Sequence, residues 1–299
     1  MANPILDSLT AYIQQERLPL INKAMLKGKS VSLFNLMTGV KTEAALNLLS
    51  TDVKFQDGLT CGFTEQGTQT LSQRILKTAN IKINMSYCDR AMLKYWTQYA
   101  LRTAAGEEKL PFAEEFVADV IKNVQSKVEK LVWQGDTASG DTDLKLVDGL
   151  LKQAGADETV IDVTITGTDA KADIMAVYNK IPAEILDEAS IFVGADTFRS
   201  FVQELVNANL YHYSAEPVDG EIVLPGTNVK VIAVNGLNGT KKIFAARAKD
   251  IYAGVDMEGD EEQFDLWYSK DHQEYRLAIK FNIGATYAFG DQVVLGKTA

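Results

Sequence analysis

Histidines and cysteines are the residues whose spacing most often reveals chemistry, and this sequence has two of each. His212 and His272 are far apart, so no HxH or HExxH spacing places two imidazoles on one metal ion. Cys61 and Cys88 form no CxxC pair, which argues against a cysteine zinc site or a disulfide framework. We therefore predict no catalytic residue and no metal centre.

Glycine motifs that hold phosphates are also missing. Residues 290–298 read G-x-x-x-x-x-G-K-T, which is one residue too long for a phosphate-binding loop. No GxGxxG motif and no GxSxG motif occurs. The sequence therefore lacks the glycine turn that binds a dinucleotide and the turn that presents the serine nucleophile of a hydrolase. We predict that the chain binds no cofactor and is not an enzyme.

Acidic residues cluster in two places, within residues 136–143 and within residues 256–265. Carboxylates at such spacing could hold calcium, but neither cluster has the glycine and glutamate register of an EF-hand loop. A solvated run of charge is the favoured interpretation, because these carboxylates lie in polar stretches.

The balance of charge limits the kind of partner. Lys and Arg total 30 against 40 Asp and Glu, for a formal net charge of -10. A chain with this charge is not expected to grip nucleic acid by neutralising phosphates. If the protein meets DNA, we predict that it encloses the DNA.

The chain of 299 residues, 46% of them hydrophobic, is long enough for a sizeable core. The first ten residues do not resemble a signal peptide, and no run of about 18 apolar residues predicts a membrane span. We therefore expect synthesis in a reducing cytoplasm and no membrane partner.

Residues 52–88 lose the helical period. Every second residue from Ile81 to Tyr87 is apolar or nearly so, which is typical of a half-buried strand. Residues 60–80 are polar and contain glycine, so we predict that they add little to the core. The pattern favours a projecting β-hairpin, and the alternative is a surface loop packed on its own subunit.

The clearest helix is predicted at residues 111–133. Pro111 stands in the first turn, where proline is tolerated, one apolar stripe follows, and Gly135 ends the pattern. At this number of residues the helix would be about 34 Å long. A helix of this length could form the backbone of a domain, although an ordinary core helix fits the same stripe.

The remaining residues predict an α/β unit followed by long strands. Helices are expected at residues 144–151 and 169–179, strands at residues 160–165 and 191–193, and a further helix capped by Asp196. Apolar residues then occupy every second position over residues 275–289, which predicts a very long strand with a bend near Gly284. Residues 264–268 alternate as well and are its predicted antiparallel partner.

This succession of arm, hairpin, long helix, α/β unit and terminal strands resembles the major capsid proteins of tailed phages, which have the Hong Kong 97-type fold. Residues 128–136, VEKLVWQGD, are similar to the end of that family's spine helix. Residues 189–198, ASIFVGADTF, are similar to its strand-to-helix step. The resemblance covers almost the whole chain and rests on architecture more than on motifs.

The resemblance implies an α+β fold with named parts. These are an N-terminal arm (1–51), an E-loop hairpin (52–88), a peripheral P-domain (89–140), an axial A-domain (141–258), return strands of the P-domain (259–284) and a terminal strand of the A-domain (285–299).

The function implied is self-assembly into pentamers and hexamers of an icosahedral head that encloses double-stranded DNA. Separate scaffold, portal and decoration proteins are implied as partners, and the short arm favours a separate scaffold or none. Some members of the family also join an E-loop lysine to a P-domain asparagine. The candidate residues for contacts between subunits are Phe63, Arg74, Ile75, Lys77, Lys82, Tyr87 and Asn282.

Three other interpretations remain open at this point. An encapsulin-like compartment resembles the same fold but encloses cargo enzymes. A small-metabolite α/β enzyme is supported only by the alternating middle segment, and a tail or baseplate subunit would form rings or tubes.

Overall fold

The computed structural model describes residues 28–59, 62–63, 65–88, 112–208, 220–256 and 263–298. The α-helices are α1 (Lys29–Leu33), α2 (Phe112–Gln134), α3 (Leu150–Ala156), α4 (Ala170–Tyr178) and α5 (Ala195–Asn207). The strands are β1 (Asn35–Met37), β2 (Glu43–Asp52), β3 (Thr68–Lys77), β4 (Ala79–Cys88), β5 (Ile161–Ile165), β6 (Ala189–Gly194), β7 (Glu221–Val223), β8 (Lys230–Val234), β9 (Ile243–Arg247), β10 (Ile251–Val255), β11 (Gln263–Ser269), β12 (Glu274–Tyr287) and β13 (Val294–Thr298). Short 3-10 helices occur at Ala183–Ile185, Asn235–Leu237, Ala248–Asp250 and Gly290–Gln292.

The strands form three sheets. A five-stranded sheet has the order β1-β10-β12-β11, and β4 pairs with the other side of β12. A six-stranded sheet has the order β5-β13-β9-β6-β8-β7, and β2 pairs with β3 in a sheet of two strands. Parallel and antiparallel pairs both occur in the two larger sheets. This is the α+β architecture that was predicted.

Helix α2 joins the two large sheets through one core. Its apolar stripe belongs to the same buried cluster as Phe192 and Phe244 of the six-stranded sheet and Phe281 of the five-stranded sheet. Trp133, near the end of the helix, is fully buried and lies 5.4 Å, between ring centroids, from Phe192 and from Phe244. The predicted long helix is confirmed over residues 112–133, and Pro111 lies outside the described residues.

The end of the arm is held against this helix. The indole nitrogen of Trp133 donates to Ser30 Oγ at 2.8 Å, and the backbone nitrogen of Ser30 donates to the buried Glu129 carboxylate at 2.9 Å. Phe34 packs edge-on against Trp133 at 5.8 Å. Ser30, Val31 and Phe34 are therefore buried against the helix, whereas residues 1–27 of the predicted arm lie outside the described residues.

The prediction that residues 52–88 contain both strands of the hairpin was wrong. The hairpin pairs β2 with β3 over Glu43 to Lys77, so its first strand lies in the segment predicted as arm. Strand β4 instead pairs with β12 from Ala79 to Cys88. The physical reason is that β4 and β12 both alternate apolar and polar residues, so pairing them buries both apolar faces together.

The predicted bend near Gly284 does not divide the long strand, because β12 runs unbroken for 14 residues. The strand that pairs with this edge of β12 changes along its length. Glu274 to Lys280 pair with β11, and Ile283 to Tyr287 pair with β10. Strand β10 therefore lies in the five-stranded sheet, although it falls within the segment predicted as the A-domain. The predicted antiparallel pair of β11 and β12 is confirmed.

Two helix predictions need correction. The helix expected at residues 144–151 begins only at Leu150, because turns that close on Asp141 occupy the preceding residues. Gly194, and not Asp196, is the N-cap of α5. The Asp196 carboxylate accepts hydrogen bonds from the backbone nitrogens of Thr197 and Gly239, at 2.9 and 3.0 Å, and so ties down a neighbouring loop. The division into arm, E-loop, P-domain and A-domain stays a prediction.

Candidate assembly surfaces

The hairpin of β2 and β3 is a long, extended feature of the described chain. Each strand has 10 residues, a length of about 33 Å, and residues 53–67 connect them. The two strands form a sheet of their own, with register from Glu43 opposite Lys77 to Asp52 opposite Thr68. A ribbon of two strands is only marginally stable in water, so its surroundings decide how well it is ordered.

Large apolar side chains on this hairpin lie in solvent. Phe55 and Phe63 are 98% and 95% exposed, far beyond what a core residue shows. Apolar surface concentrated on one projecting element is typical of an interaction site. The exposed members of this set, which we call the hairpin apolar surface, are Leu49, Val53, Phe55, Leu59, Phe63, Leu71 and Ile75.

The base of the hairpin crosses the five-stranded sheet at a pair of glycines. Gly254 and Gly284 lie opposite each other in β10 and β12. A Cβ atom on Gly284 would lie 2.0 Å from the carbonyl oxygen of Lys77, and one on Gly254 would lie 2.7 Å from the Leu76 side chain. Glycine at both positions lets the end of β3 lie directly on the sheet backbone. We call this contact the glycine crossing.

Leu76 corrects the expectation that residues 60–80 add little to the core. Its side chain is fully buried at the glycine crossing. Only the outer part of the hairpin is free of the subunit. The sequence could not show this, because one leucine among polar residues does not indicate what will cover it.

Hydrogen bonds hold the other strand of the base. The side-chain nitrogen of Asn282 donates to the carbonyl oxygen of Lys41 at 3.1 Å, and the backbone nitrogen of Thr78 donates to the carbonyl oxygen of Thr42 at 2.9 Å. Asn282 is 1% exposed. As a candidate contact residue it was expected at the surface, but it lies beneath the base of the hairpin in its own subunit.

A polar cluster next to the glycine crossing fixes the direction of β3. Arg74 donates a hydrogen bond to the Asp157 carboxylate, and its guanidinium carbon lies 4.2 Å from the centroid of the Tyr287 ring. The Tyr287 hydroxyl donates to the same carboxylate at 2.9 Å. We call these three residues the Arg74 cluster. Arg74, which was predicted as a contact between subunits, makes these contacts within its own chain.

The electrostatics of the Arg74 cluster favour the charged carboxylate. Burial alone would raise the pKa of Asp157, but hydrogen bonds from Thr159 and Arg74 outweigh it and hold that pKa well below its usual range. Burial raises the pKa of the Tyr287 hydroxyl to about 12, so this group stays protonated and remains a donor. The cluster is therefore an ion pair with an extra donor over the whole neutral range of pH.

Acidification is expected to weaken the subunit through Asp157. Because its folded pKa is depressed, its contribution is fully present above the ordinary value of 3.8 and is lost as the pH falls below it. We expect Asp157→Asn to lose roughly 1 to 2 kcal/mol of unfolding free energy at pH 7, and less at pH 3. Urea denaturation across this range measures both values.

The control for this experiment is Asp187→Asn, which removes an exposed carboxylate elsewhere on the surface. Its unfolding free energy should follow the wild type at each pH. A constant difference between Asp157→Asn and wild type from pH 7 to pH 3 would show that the ionisation of Asp157 does not stabilise the fold.

A groove of about 910 Å³ separates α2 from β4. The exposed faces of Met85 and Leu146 lie along it, together with Ile81 and Ile83. Lys82 and Tyr87, two of the predicted contact residues, line the same groove. It is thus an apolar surface with polar edges on the flank of the long helix, and we call it the helix groove.

The predicted contact residues divide into three groups. Phe63, Ile75 and Lys77 are exposed on the hairpin, Lys82 and Tyr87 line the helix groove, and Arg74 and Asn282 are engaged inside the subunit. Their part in contacts between subunits stays a prediction. Cys88 and His272 are exposed, at the end of β4 and in the turn after β11. Cys61 and His212 lie outside the described residues.

Sequence reasoning missed the partners of the hairpin base. Asp157 and Tyr287 gave no signal, because they meet Arg74 only through tertiary contacts. Gly284 did give one, since a glycine inside a long alternating strand marks either a bend or a close approach of backbone. The structure shows that the close approach applies here.

Solved structures with the same arrangement are capsid structures. One, described as a satellite phage P4 procapsid including the size determination protein, matches with a TM-score of 0.65 at 11% identity, over 100% of this chain and 98% of that chain. One from Gordonia phage Cozz matches with a TM-score of 0.59 at 11% identity, over 90% and 86% of the two chains. A virus-like particle from Pyrococcus furiosus matches with a TM-score of 0.51 at 10% identity, over 94% and 98%.

By sequence, no family model matches this chain, and no curated protein matches it either. The likeness is therefore one of fold. Over nearly its full length the chain has the fold of phage capsid proteins, which is the Hong Kong 97-type fold that the resemblance implied.

Proposed function

We propose that this chain is the major capsid protein of a tailed bacterial virus and builds an icosahedral head from pentamers and hexamers of itself. The observation that carries the proposal is the match to a procapsid structure over 100% of this chain and 98% of the other. A match over almost the full length of both chains supports a subunit that serves, like the chains of that procapsid, in building a shell.

The hairpin supports a role in clamping neighbouring subunits. Its apolar surface, including Phe55 and Phe63, is uncovered in the single subunit, so burying it needs another molecule. The helix groove offers apolar side chains of comparable character between α2 and β4. A contact of hairpin with groove joins two different surfaces, and such heterologous contacts form a closed ring when the rotation between neighbouring copies closes around an axis.

The proposed cargo is double-stranded DNA, enclosed without sequence-specific binding. The net charge of -10 does not favour a dedicated grip on phosphates. Scaffold, portal and decoration proteins are the further partners in this proposal. Among the described residues, no helix is both long and apolar enough to cross a bilayer.

Assembly of the purified chain tests the proposal. Size-exclusion chromatography with light scattering should show capsomers or closed shells, and negative-stain images should show particles with icosahedral outlines. A chain that stays monomeric at every concentration, also together with its native scaffold, would refute it.

A second candidate function is a compartment that encloses cargo proteins. The likeness to a structure described as a virus-like particle from Pyrococcus furiosus supports it, because that description names a particle with a similar fold and no phage. Particles purified from the native source separate the two. Nucleic acid that resists nuclease until the shell is opened supports the phage head, and a stoichiometric enclosed protein without nucleic acid supports the compartment.

We further propose that the chain has no catalytic activity. Within the described ranges, no group of three or more His, Cys, Asp or Glu side chains is placed to hold a metal ion. The alternating α/β segment was the one feature that suggested an enzyme. Strand β6 in this segment is covered on both faces by buried apolar residues.

A further inference from the structure

An acidic residue is buried at the point where the chain leaves the five-stranded sheet. In β10, Val255 pairs with Ile283 of β12, and continuing this antiparallel register by one residue places Asp256 opposite Asn282. Residues opposite each other on neighbouring strands lie on the same face, with Cβ atoms about 5 Å apart. Asp256 and Asn282 are therefore neighbours beside the glycine crossing.

Three oxygen atoms at this point have no hydrogen-bond partner within the described part of the chain. They are both carboxylate oxygens of Asp256 and the side-chain oxygen of Asn282. Both residues are 1% exposed. The Asn282 amide nitrogen is already used by the carbonyl oxygen of Lys41, so it cannot serve the carboxylate fully.

Such an arrangement is costly unless something positive completes it. A buried carboxylate without a partner costs several kcal/mol or more, and native proteins pair nearly all buried polar groups with protein, water or an ion. The six residues that follow Asp256 in the sequence, Met-Glu-Gly-Asp-Glu-Glu, add four negative charges nearby along the chain. The two unpartnered carboxylate oxygens of Asp256 by themselves favour a cation.

We propose that Asp256 and Asn282 form a binding site for a divalent cation of the calcium type at the base of the hairpin. All three unpartnered atoms are hard oxygens, which hard cations prefer. Calcium accepts a bidentate carboxylate and amide oxygens in irregular geometry, whereas magnesium retains its waters and suits a dry site poorly. Backbone carbonyl oxygens would complete the coordination. The site modifies the expectation that the chain has no metal centre.

The proposed site would connect the cation to the hairpin. Asn282 contacts the cation through its oxygen and holds Lys41 through its nitrogen. Cation binding would therefore order the amide of Asn282 and, through it, the start of the hairpin. This inference concerns the subunit alone and holds whether or not the chain builds a shell.

Isothermal titration of the chelator-treated protein with calcium chloride tests the site. We expect saturable binding near one ion per chain, weakened at least roughly tenfold in Asp256→Asn because the only charged ligand is lost. The control Asp271→Asn removes an exposed carboxylate from the turn before β12 and should bind calcium like the wild type. Magnesium chloride should bind more weakly than calcium chloride.

A second variant gives an effect of opposite sign. Asn282→Asp places a second carboxylate opposite Asp256, so it should bind calcium more tightly than wild type and have a lower melting temperature after chelation. Equal calcium binding in wild type and Asp256→Asn would overturn the proposal. A higher melting temperature of Asp256→Asn than of wild type at every calcium concentration would also overturn it. That result would mean that no cation stabilises the Asp256 carboxylate in the subunit.

Discussion

Replacing residues 48–72 with a short glycine-serine turn is expected to abolish shell formation and to leave the subunit folded. The cut falls where Leu48 pairs with Ser72, so it removes most of the hairpin apolar surface. It keeps Arg74 and Leu76, which anchor the base. Long surface loops contribute little to the core, so we expect the melting temperature to change by no more than about 4 °C.

The same experiment on the boundaries suggested by sequence would mislead. A replacement of the polar stretch 60–80 would delete the buried Leu76 and remove Arg74 from the Arg74 cluster, so it would disturb the sheet for reasons unrelated to assembly. The replacement is therefore confined to residues 48–72, which form the outer part of the hairpin.

The double variant Phe55→Ser and Phe63→Ser is the matched test, because it keeps the hairpin and removes only exposed apolar area. Both side chains are almost fully exposed, so the subunit should melt at the wild-type temperature. Shells should form only at higher protein concentration. If the chain with residues 48–72 replaced still assembles shells of normal size and yield, the hairpin does not clamp neighbouring subunits. If that chain is unfolded, the hairpin belongs to the core of its own subunit.

Gly284→Ala is expected to destabilise the subunit by roughly 1 to 3 kcal/mol, in spite of adding a single methyl group. The new Cβ would lie 2.0 Å from the carbonyl oxygen of Lys77, which is backbone and cannot rotate away. Either the sheet or the base of the hairpin must move. Urea denaturation measures the loss, and hydrogen exchange at the Thr78 amide, which bonds to Thr42, reports the movement.

Gly155→Ala is the matched control. Gly155 lies within α3, and a Cβ there meets nothing within 4 Å. Alanine in an exposed helical position should stabilise the subunit by about 0.5 to 1 kcal/mol. The two substitutions add the same atoms and should have effects of opposite sign. A Gly284→Ala subunit as stable as wild type, with unchanged protection at Thr78, would mean that the hairpin base does not rest on the sheet.

The sequence by itself determined the elements with strong periodicity. The apolar stripe of residues 112–133 and the alternation of residues 275–287 predicted α2 and β12, because each pattern repeats over enough residues to exclude the other. The alternation of residues 264–268 likewise predicted the partner of β12. The order of these elements was enough to indicate the capsid fold.

Only the tertiary structure decided how the hairpin is attached. Alternation shows which face of a strand is buried, but it does not show which strand lies beside it, so β4 was assigned to the hairpin when it belongs to the sheet. The same reason explains Asn282 and Arg74. Both were predicted as contacts between subunits, and their partners within the subunit, Lys41 and Asp157, come from distant parts of the chain that no local pattern reveals.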